Sequence, residues 1–230
     1  MSTFVHLRAC SAYSLKYGTT QPLDLVARAS EYEMPALALT DRDGLAGAIR
    51  FAQSCVDYGV APIIGIDLAM ETPRALSRDT KSLARITLLA HGDGGWRSLT
   101  RLLTSLNTYK TLEPSRAPVL TLGFLQQFSQ YSTNLLALHG PESPVGAAIA
   151  LHRNDLALEC FAQTRELFAD NAIECVSHLV AGAGPRSTAH AARSLIFHVI
   201  IRFPRSSPMR SVCASVMMAL SPISWILRAS

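Results

Sequence analysis

The stretch ALALTDRDGLAGAIRFAQSCVDYGVAPIIGIDLAM, residues 36–70, decides the fold class. ALALT (36–40) is a short apolar run with strand character, and DRDG (41–44) is a polar turn. LAGAIRFAQSCVDYG (45–59) then carries apolar positions at helical spacing, and VAPIIGIDLAM (60–70) is a second buried strand. A strand, a crossover helix and a further apolar strand form one unit of a parallel α/β fold, with a right-handed connection.

The same alternation extends in both directions. Upstream, FVHLR (4–8) reads as a strand, followed by the turn YGTTQP and a helix over Leu23 to Tyr32 that Thr19 or Thr20 is placed to cap. Downstream, ETPRALSRDTKS reads as a loop, ITLLA (86–90) as a strand and GGWRSLTRLLTSLN as an amphipathic helix. LLALHG (135–140) is a strand, NDLALECFAQTRELFA a helix, and NAIECVSHL (171–179) a strand. Repeated βα units of this kind close most readily into a barrel, whose chemistry sits at the carboxyl ends of its strands. Those ends are Arg8 to Cys10, Asp41 to Asp43, Asp67, His139 to Glu142 and Glu174 to His178.

At 230 residues, 49 % hydrophobic and 17 % charged, the composition is that of a soluble globular protein. No basic, apolar signal segment opens it, so a cytoplasmic location is expected. Five scattered cysteines, Cys10, Cys55, Cys160, Cys175 and Cys213, form no C-x-x-C pair and suggest neither a disulfide framework nor a zinc knuckle. Cys10, Cys55, Cys160 and Cys175 read as small apolar core residues. All 17 acids and fifteen of the 21 Lys and Arg lie within residues 1–174, a balance of −2, while the last 56 residues hold six arginines and no acid. The overall +4 comes from that tail and points to no nucleic-acid face on the folded part.

Five stretches, FVHLRACSAYSLKYG (4–18), MPALALTDRDGLAGAIRFAQ (34–53), APIIGIDL (61–68), ITLLAHGDGGWRSLTRLLT (86–104) and NLLALHGPESPVG (134–146), carry a resemblance in order along the chain. Together they resemble the N-terminal polymerase and histidinol phosphatase (PHP) domain of the bacterial, C-family DNA polymerase III alpha subunit. The LTDRD and SHLVAGAGPRSTAHAAR segments look most like its actinobacterial branch. The resemblance implies a distorted seven-stranded (β/α) barrel over residues 1–196, incomplete at its C-terminal end. It also implies a family activity of DNA-directed DNA polymerase, a nucleotidyltransferase, whose catalytic aspartates lie in a palm domain far downstream. The expected partners are the rest of the alpha chain and a proofreading exonuclease or clamp-loader components, with no direct DNA contact by this region and no membrane.

Intact, active PHP barrels gather divalent metals with His, Asp, Glu and sometimes Cys, whose lone pairs hold the ions that activate water against phosphate. Carried over position by position, that set fails here. The first His-x-His pair falls on Arg8 and Cys10, the next carboxylate on Tyr17, and the histidine after Asp41 on Arg42. The cysteine of the fifth stretch falls on Pro141, which leaves Asp67, in place of a family glutamate, and His178. A guanidinium is always charged and has no lone pair for a metal. The expectation is a vestigial site with no bound cofactor, in which Arg8 and Arg42 pair with Asp41, Asp43 or Asp67. The alternative is a metal-dependent phosphoesterase or 3'-5' exonuclease in which Asp67, His178 and Cys10 hold one ion. His6 reads as a packed or hydrogen-bonded core histidine rather than a base, and His139 as a solvated turn residue. HGDGG (91–95) lacks the Lys-Ser/Thr of a P-loop and reads as a helix start.

From about Phe197 to Ser230 the resemblance stops. In the family this position carries an apolar strand and then an acidic segment resembling Asp-Gly-Pro-Ile-Ala-Asp-Ile-Leu-Asp. Codons made from the last base of one codon and the first two of the next recover that segment. Met217 with Met218 must then encode Asp, Met218 with Ala219 must encode Gly, and Trp225 with Ile226 must encode Asp. The expectation is a frame change near residues 196–203 and an aberrant, disordered tail over 197–230. VCASVMMALSPISWIL (212–227) is too short, and too interrupted by Pro222, for a spanning helix.

Overall fold

The computed structural model describes residues 5–77, 83–110, 118–132, 134–168, 170–174, 188–202 and 226–229. Packing divides the chain into two compact units, Met1–Ala69 with Thr87–Leu135 and Met70–Ile86 with Leu136–Ser230.

In the first unit the βαβ reading of residues 36–70 holds. Strand β1 (Ala36–Arg42) is followed by α2 (Ala48–Tyr58) and β2 (Ala61–Met70), and the two strands pair in parallel from Ala36 opposite Ala61 to Arg42 opposite Asp67. Helix α2 stops at Gly59, whose left-handed φ of 67° is cheap only for glycine. Val26 and Ala29 of α1 (Pro22–Glu31) pack with Leu37, Leu39, Phe51, Cys55 and Val60 in a single apolar cluster. Strand β3 is Ala84–Ala90, and α4 (Gly92–Lys110) begins at HGDGG. β4 (Val119–Leu120) and α5 (Leu122–Gln127) follow, α5 capped by Thr121, whose Oγ1 accepts the Phe124 N–H at 3.0 Å.

The second unit holds α3 (Arg74–Ser77), β5 (Leu135–His139), α6 (Pro144–Ala150), α7 (Asn154–Leu167), β6 (Asp170–Glu174), α8 (Thr188–Arg202) and β7 (Ile226–Ala229). β5 and β6 are parallel, whereas β6 and β7 are antiparallel. Its core joins Leu76, Val145, Ile149, Leu156, Phe161 and Phe197. Among the described residues no helix is long and apolar enough to cross a membrane.

Several local expectations are corrected. The segment expected as strand 4–8 pairs with β1 only through a His6–Leu37 bridge. Ala38 N–H donates to His6 O at 2.9 Å and Thr40 N–H to Ala9 O at 2.7 Å, so two residues of β1 face three of its neighbour. That extra residue is a bulge, which ends regular pairing next to Arg8. Neither Thr19 nor Thr20 caps α1: Pro22 takes the first helical position, Gln21 becomes the N-cap without a side-chain bond, and Thr20 O accepts the Ala12 N–H instead. The stretch read as a loop over 71–82 contains α3. α8 runs through residue 197, where the family resemblance ends.

Candidate functional site

The strand ends of the first unit bring Arg8, Cys10, Asp41, Arg42, Asp43 and Asp67 to one region, together with the loop Ser11–Gly18. Asp41 is buried and its carboxylate is the anchor of that loop. Its Oδ1 accepts the Ser11 N–H at 2.6 Å and the Ser14 hydroxyl at 2.7 Å, and its Oδ2 accepts the Ser11 hydroxyl at 2.8 Å. Ser14 Oγ in turn accepts the Arg42 N–H at 2.9 Å, tying the loop back to β1. Hydrogen bonds to a charged acceptor are the stronger kind, and here they consume lone pairs that a metal ligand would need. Gly47 keeps this corner open, since a Cβ there would lie 2.9 Å from both Asp41 Oδ2 and the Tyr13 ring.

Strand register explains the second cluster. Arg42 and Asp67 are direct partners across the parallel pair, so their side chains leave on the same face. Arg42 Nε lies 3.5 Å from Asp67 Oδ2, and Arg8 Nη2 approaches the same oxygen at 3.5 Å. The Arg42 guanidinium also lies over the Tyr17 ring, 3.6 Å from its centroid, although Tyr17 is 62 % exposed. Asp43 adopts a left-handed φ of 55°, with its N–H donating to Asp67 O at 2.9 Å and its Oδ1 accepting the Ala69 N–H at 3.2 Å.

These residues do not fit a divalent cluster. Arg8 and Arg42 offer no lone pair and carry positive charge to the carboxylate that would have to bind the ion. Among the described residues no group of three or more His, Cys, Asp or Glu is disposed around an ion. Cys10 is half-buried beside this region.

His139 and Pro141 belong to the second unit, and both are buried. His139, expected as a solvated turn residue, is 1 % exposed, with Nε2 3.3 Å from Thr164 Oγ1 and its ring against Phe161. The end of β5 turns inward under α7, which the local Gly-Pro sequence could not reveal. His6, expected as a packed or hydrogen-bonded core histidine, lies exposed on the bulged segment rather than in the core, and it is not without a partner there. Cys55 and Cys160 are buried and their thiols are pushed up to about 11 by burial, the behaviour of inert core residues. His178, Cys175 and Cys213 fall outside the described residues. Sequence reading missed Ser11 and Ser14, whose only local signal was a pair of hydroxyls three residues apart facing the Asp41 turn.

A profile of the PHP domain matches residues 6–178, three-quarters of the chain. The chain belongs to the PHP family. It is 38 % identical over 101 residues to an error-prone DNA polymerase of Corynebacterium efficiens, covering 44 % of this chain and 8 % of that one. It is 30 % identical over 169 residues to DNA polymerase III subunit alpha of Vibrio cholerae, covering 73 % and 14 %. The Buchnera aphidicola subunit alpha is 28 % identical over 176 residues, again covering 73 % and 14 %. The PHP chain described here thus spans at most about a seventh of these relatives' length. Among solved structures, an amidohydrolase from Chromobacterium violaceum aligns over 84 % of this chain and 49 % of its own at 19 % identity, with a TM-score of 0.36. That likeness is too slight to carry an argument.

Proposed function

We propose that this PHP chain is a non-catalytic scaffold element of a DNA polymerase III alpha-type or error-prone polymerase. The observation that carries the proposal is the convergence of two guanidiniums, Arg8 and Arg42, on one Asp67 oxygen at 3.5 Å each. An arrangement of this kind holds strand ends together by ion pairing, and it puts fixed cations where a metal-dependent phosphoesterase needs mobile ones. In this reading Arg8, Cys10, Tyr17, Asp41, Arg42, Asp67, Pro141 and His178 mark a vestigial site and none is catalytic. The partners that suit such a scaffold are the remainder of a polymerase alpha chain and, bound to it, a proofreading exonuclease or clamp-loader component. The compartment that suits it is the cytoplasm.

Metal analysis of dialysed protein tests this. Fewer than one tightly held divalent ion per chain is expected, and no metal-dependent release of nucleotides from a DNA 3' end. Two or more ions with such activity would favour the phosphoesterase or exonuclease reading instead. Arg8→His, Cys10→His and Arg42→His together should raise metal affinity only in part, because Tyr17 and Pro141 still supply no donor.

We also infer that the stretch after about residue 196 is translated in a shifted frame, on the forced Asp, Gly and Asp codons at Met217–Met218, Met218–Ala219 and Trp225–Ile226. The nucleotide sequence from codon 190 onward tests it: a gene whose alternative frame does not continue into family-like sequence would overturn the inference.

A further inference from the structure

Helix α2 buries Phe51 and Cys55 in the core of the first unit, yet its other face leaves two branched apolar side chains open to solvent. Ile49 is 67 % exposed and Val56 78 %. Seven residues apart, they lie about 20° from one another around the helix axis, and the exposed Gln53 falls between them. Arg50 and Asp57, exposed as well, run along one flank of that seam, about 10 Å from each other along the axis.

A lone exposed isoleucine or valine is ordinary surface. What sets this face apart is the order of its charges. Arg50 stands in the first turn of α2 and Asp57 in the last, the reverse of what the dipole of their own helix favours. Among the described residues neither of these two side chains has a hydrogen-bond or ion-pair partner. We propose that the α2 face is a self-complementary contact, through which two copies of this chain pair about a two-fold axis near Gln53 with their α2 helices antiparallel. In that arrangement Ile49 of each copy meets Val56 of the other, and Arg50 of each meets Asp57 of the other. Each Arg50 then also lies beside the C-terminal end of the second helix and each Asp57 beside its N-terminal end, where the dipole favours them. A parallel pairing would instead set Arg50 against Arg50 and Asp57 against Asp57. The charge order therefore selects a helix of opposite direction and reversed charge order, which a second α2 supplies. The inference concerns α2 alone and stands whether or not the mouth at Asp67 binds metal.

Sedimentation velocity of the intact chain from about 10 µM to about 1 mM tests the proposal. A monomer–dimer equilibrium with a Kd on the order of 0.1 mM is expected, because a contact confined to one eleven-residue helix belongs to the small, weak class of interfaces. Arg50→Asp and Asp57→Arg each set like charges across the axis, and each should weaken self-association about tenfold or more. Both substitutions suit the dipole of α2, so neither should unfold the chain, which circular dichroism checks. Mixed one to one, the two variants should associate with each other, since one face then carries two acids and the other two cations. Gln53→Cys, with Cys10, Cys175 and Cys213 replaced by serine, should give a disulfide-linked dimer in oxidised glutathione. Tyr58→Cys in the same background, about 180° around the helix from Ile49, should not. A chain that stays monomeric to about 1 mM would overturn the proposal. Single variants that self-associate like the unaltered chain, or a mixture of them that fails to associate, would overturn it too. Association that persists in Ile49→Asp with Val56→Asp would place the contact elsewhere, with the same consequence.

Discussion

The ends of β1 and β2 in one unit and the end of β5 in the other hold equivalent places in a βα repeat, yet they are filled in opposite ways. At β1 and β2 the buried groups are charged, and Asp41 and Asp67 are surrounded by hydroxyls, backbone N–H donors and guanidiniums. At β5 the buried group is His139, set beside Thr164 and Phe161, and a second buried histidine, His190 on α8, faces Ser194. A carboxylate can stay ionised out of water only if partners are brought to it, whereas a histidine can enter the core by shedding its proton. The first region should therefore be sensitive to substitution, the second to pH.

The sharpest break of that comparison is Asp41→Ala. It removes the acceptor shared by Ser11 and Ser14 and strands their buried donors, so a loss of roughly 3 to 4 kcal/mol in urea unfolding is expected. A loss under about 1 kcal/mol would mean that the loop Ser11–Gly18 is held by its backbone turns alone. Arg42→Ala should cost about 1 to 3 kcal/mol, because the buried Asp67 carboxylate loses one of its two guanidinium partners.

The second region is tested by acid. Burial, with Arg193 adding to it, lowers the His190 pKa from 6.5 to about 4. Between those values the unfolded chain takes up the proton first, so stability present above pH 6.5 is lost as pH falls towards 4. This amounts to about 2 kcal/mol between pH 7 and pH 5, and His190→Gln should flatten that slope in urea titrations. An unchanged slope in the variant would assign the acid sensitivity elsewhere. The smallest effect is expected for Tyr17→Leu, which removes the exposed ring under Arg42 and should cost less than about 1 kcal/mol. A larger loss would show the stack to be an integral part of the mouth.

Much of the architecture was legible along the chain. β1, α2 and β2 fall within three residues of the spans read from ALALT, LAGAIRFAQSCVDYG and VAPIIGIDLAM, since strand and helix periods are local properties. The short elements α3, α5 and α6 were not, because four to seven residues carry too little periodicity to stand out. The candidate site was half legible. Residue type alone showed that Arg8 and Arg42 could not ligate a metal, but not that Asp67 would receive both guanidiniums, nor that two serines would claim Asp41.

The sequence by itself determined the order of βα units, the family and the lack of a metal donor at Arg8 and Arg42, because period, motif and donor chemistry belong to residues. Only the tertiary structure decided which charges meet. Parallel register sets Arg42 opposite Asp67, a bulge at Leu7–Arg8 interrupts the edge next to Arg8, and the fold of residues 11–18 carries Ser11 and Ser14 some thirty positions along the chain to Asp41. Those distances are long in sequence and short in space, and burial makes each pairing strong enough to define the mouth.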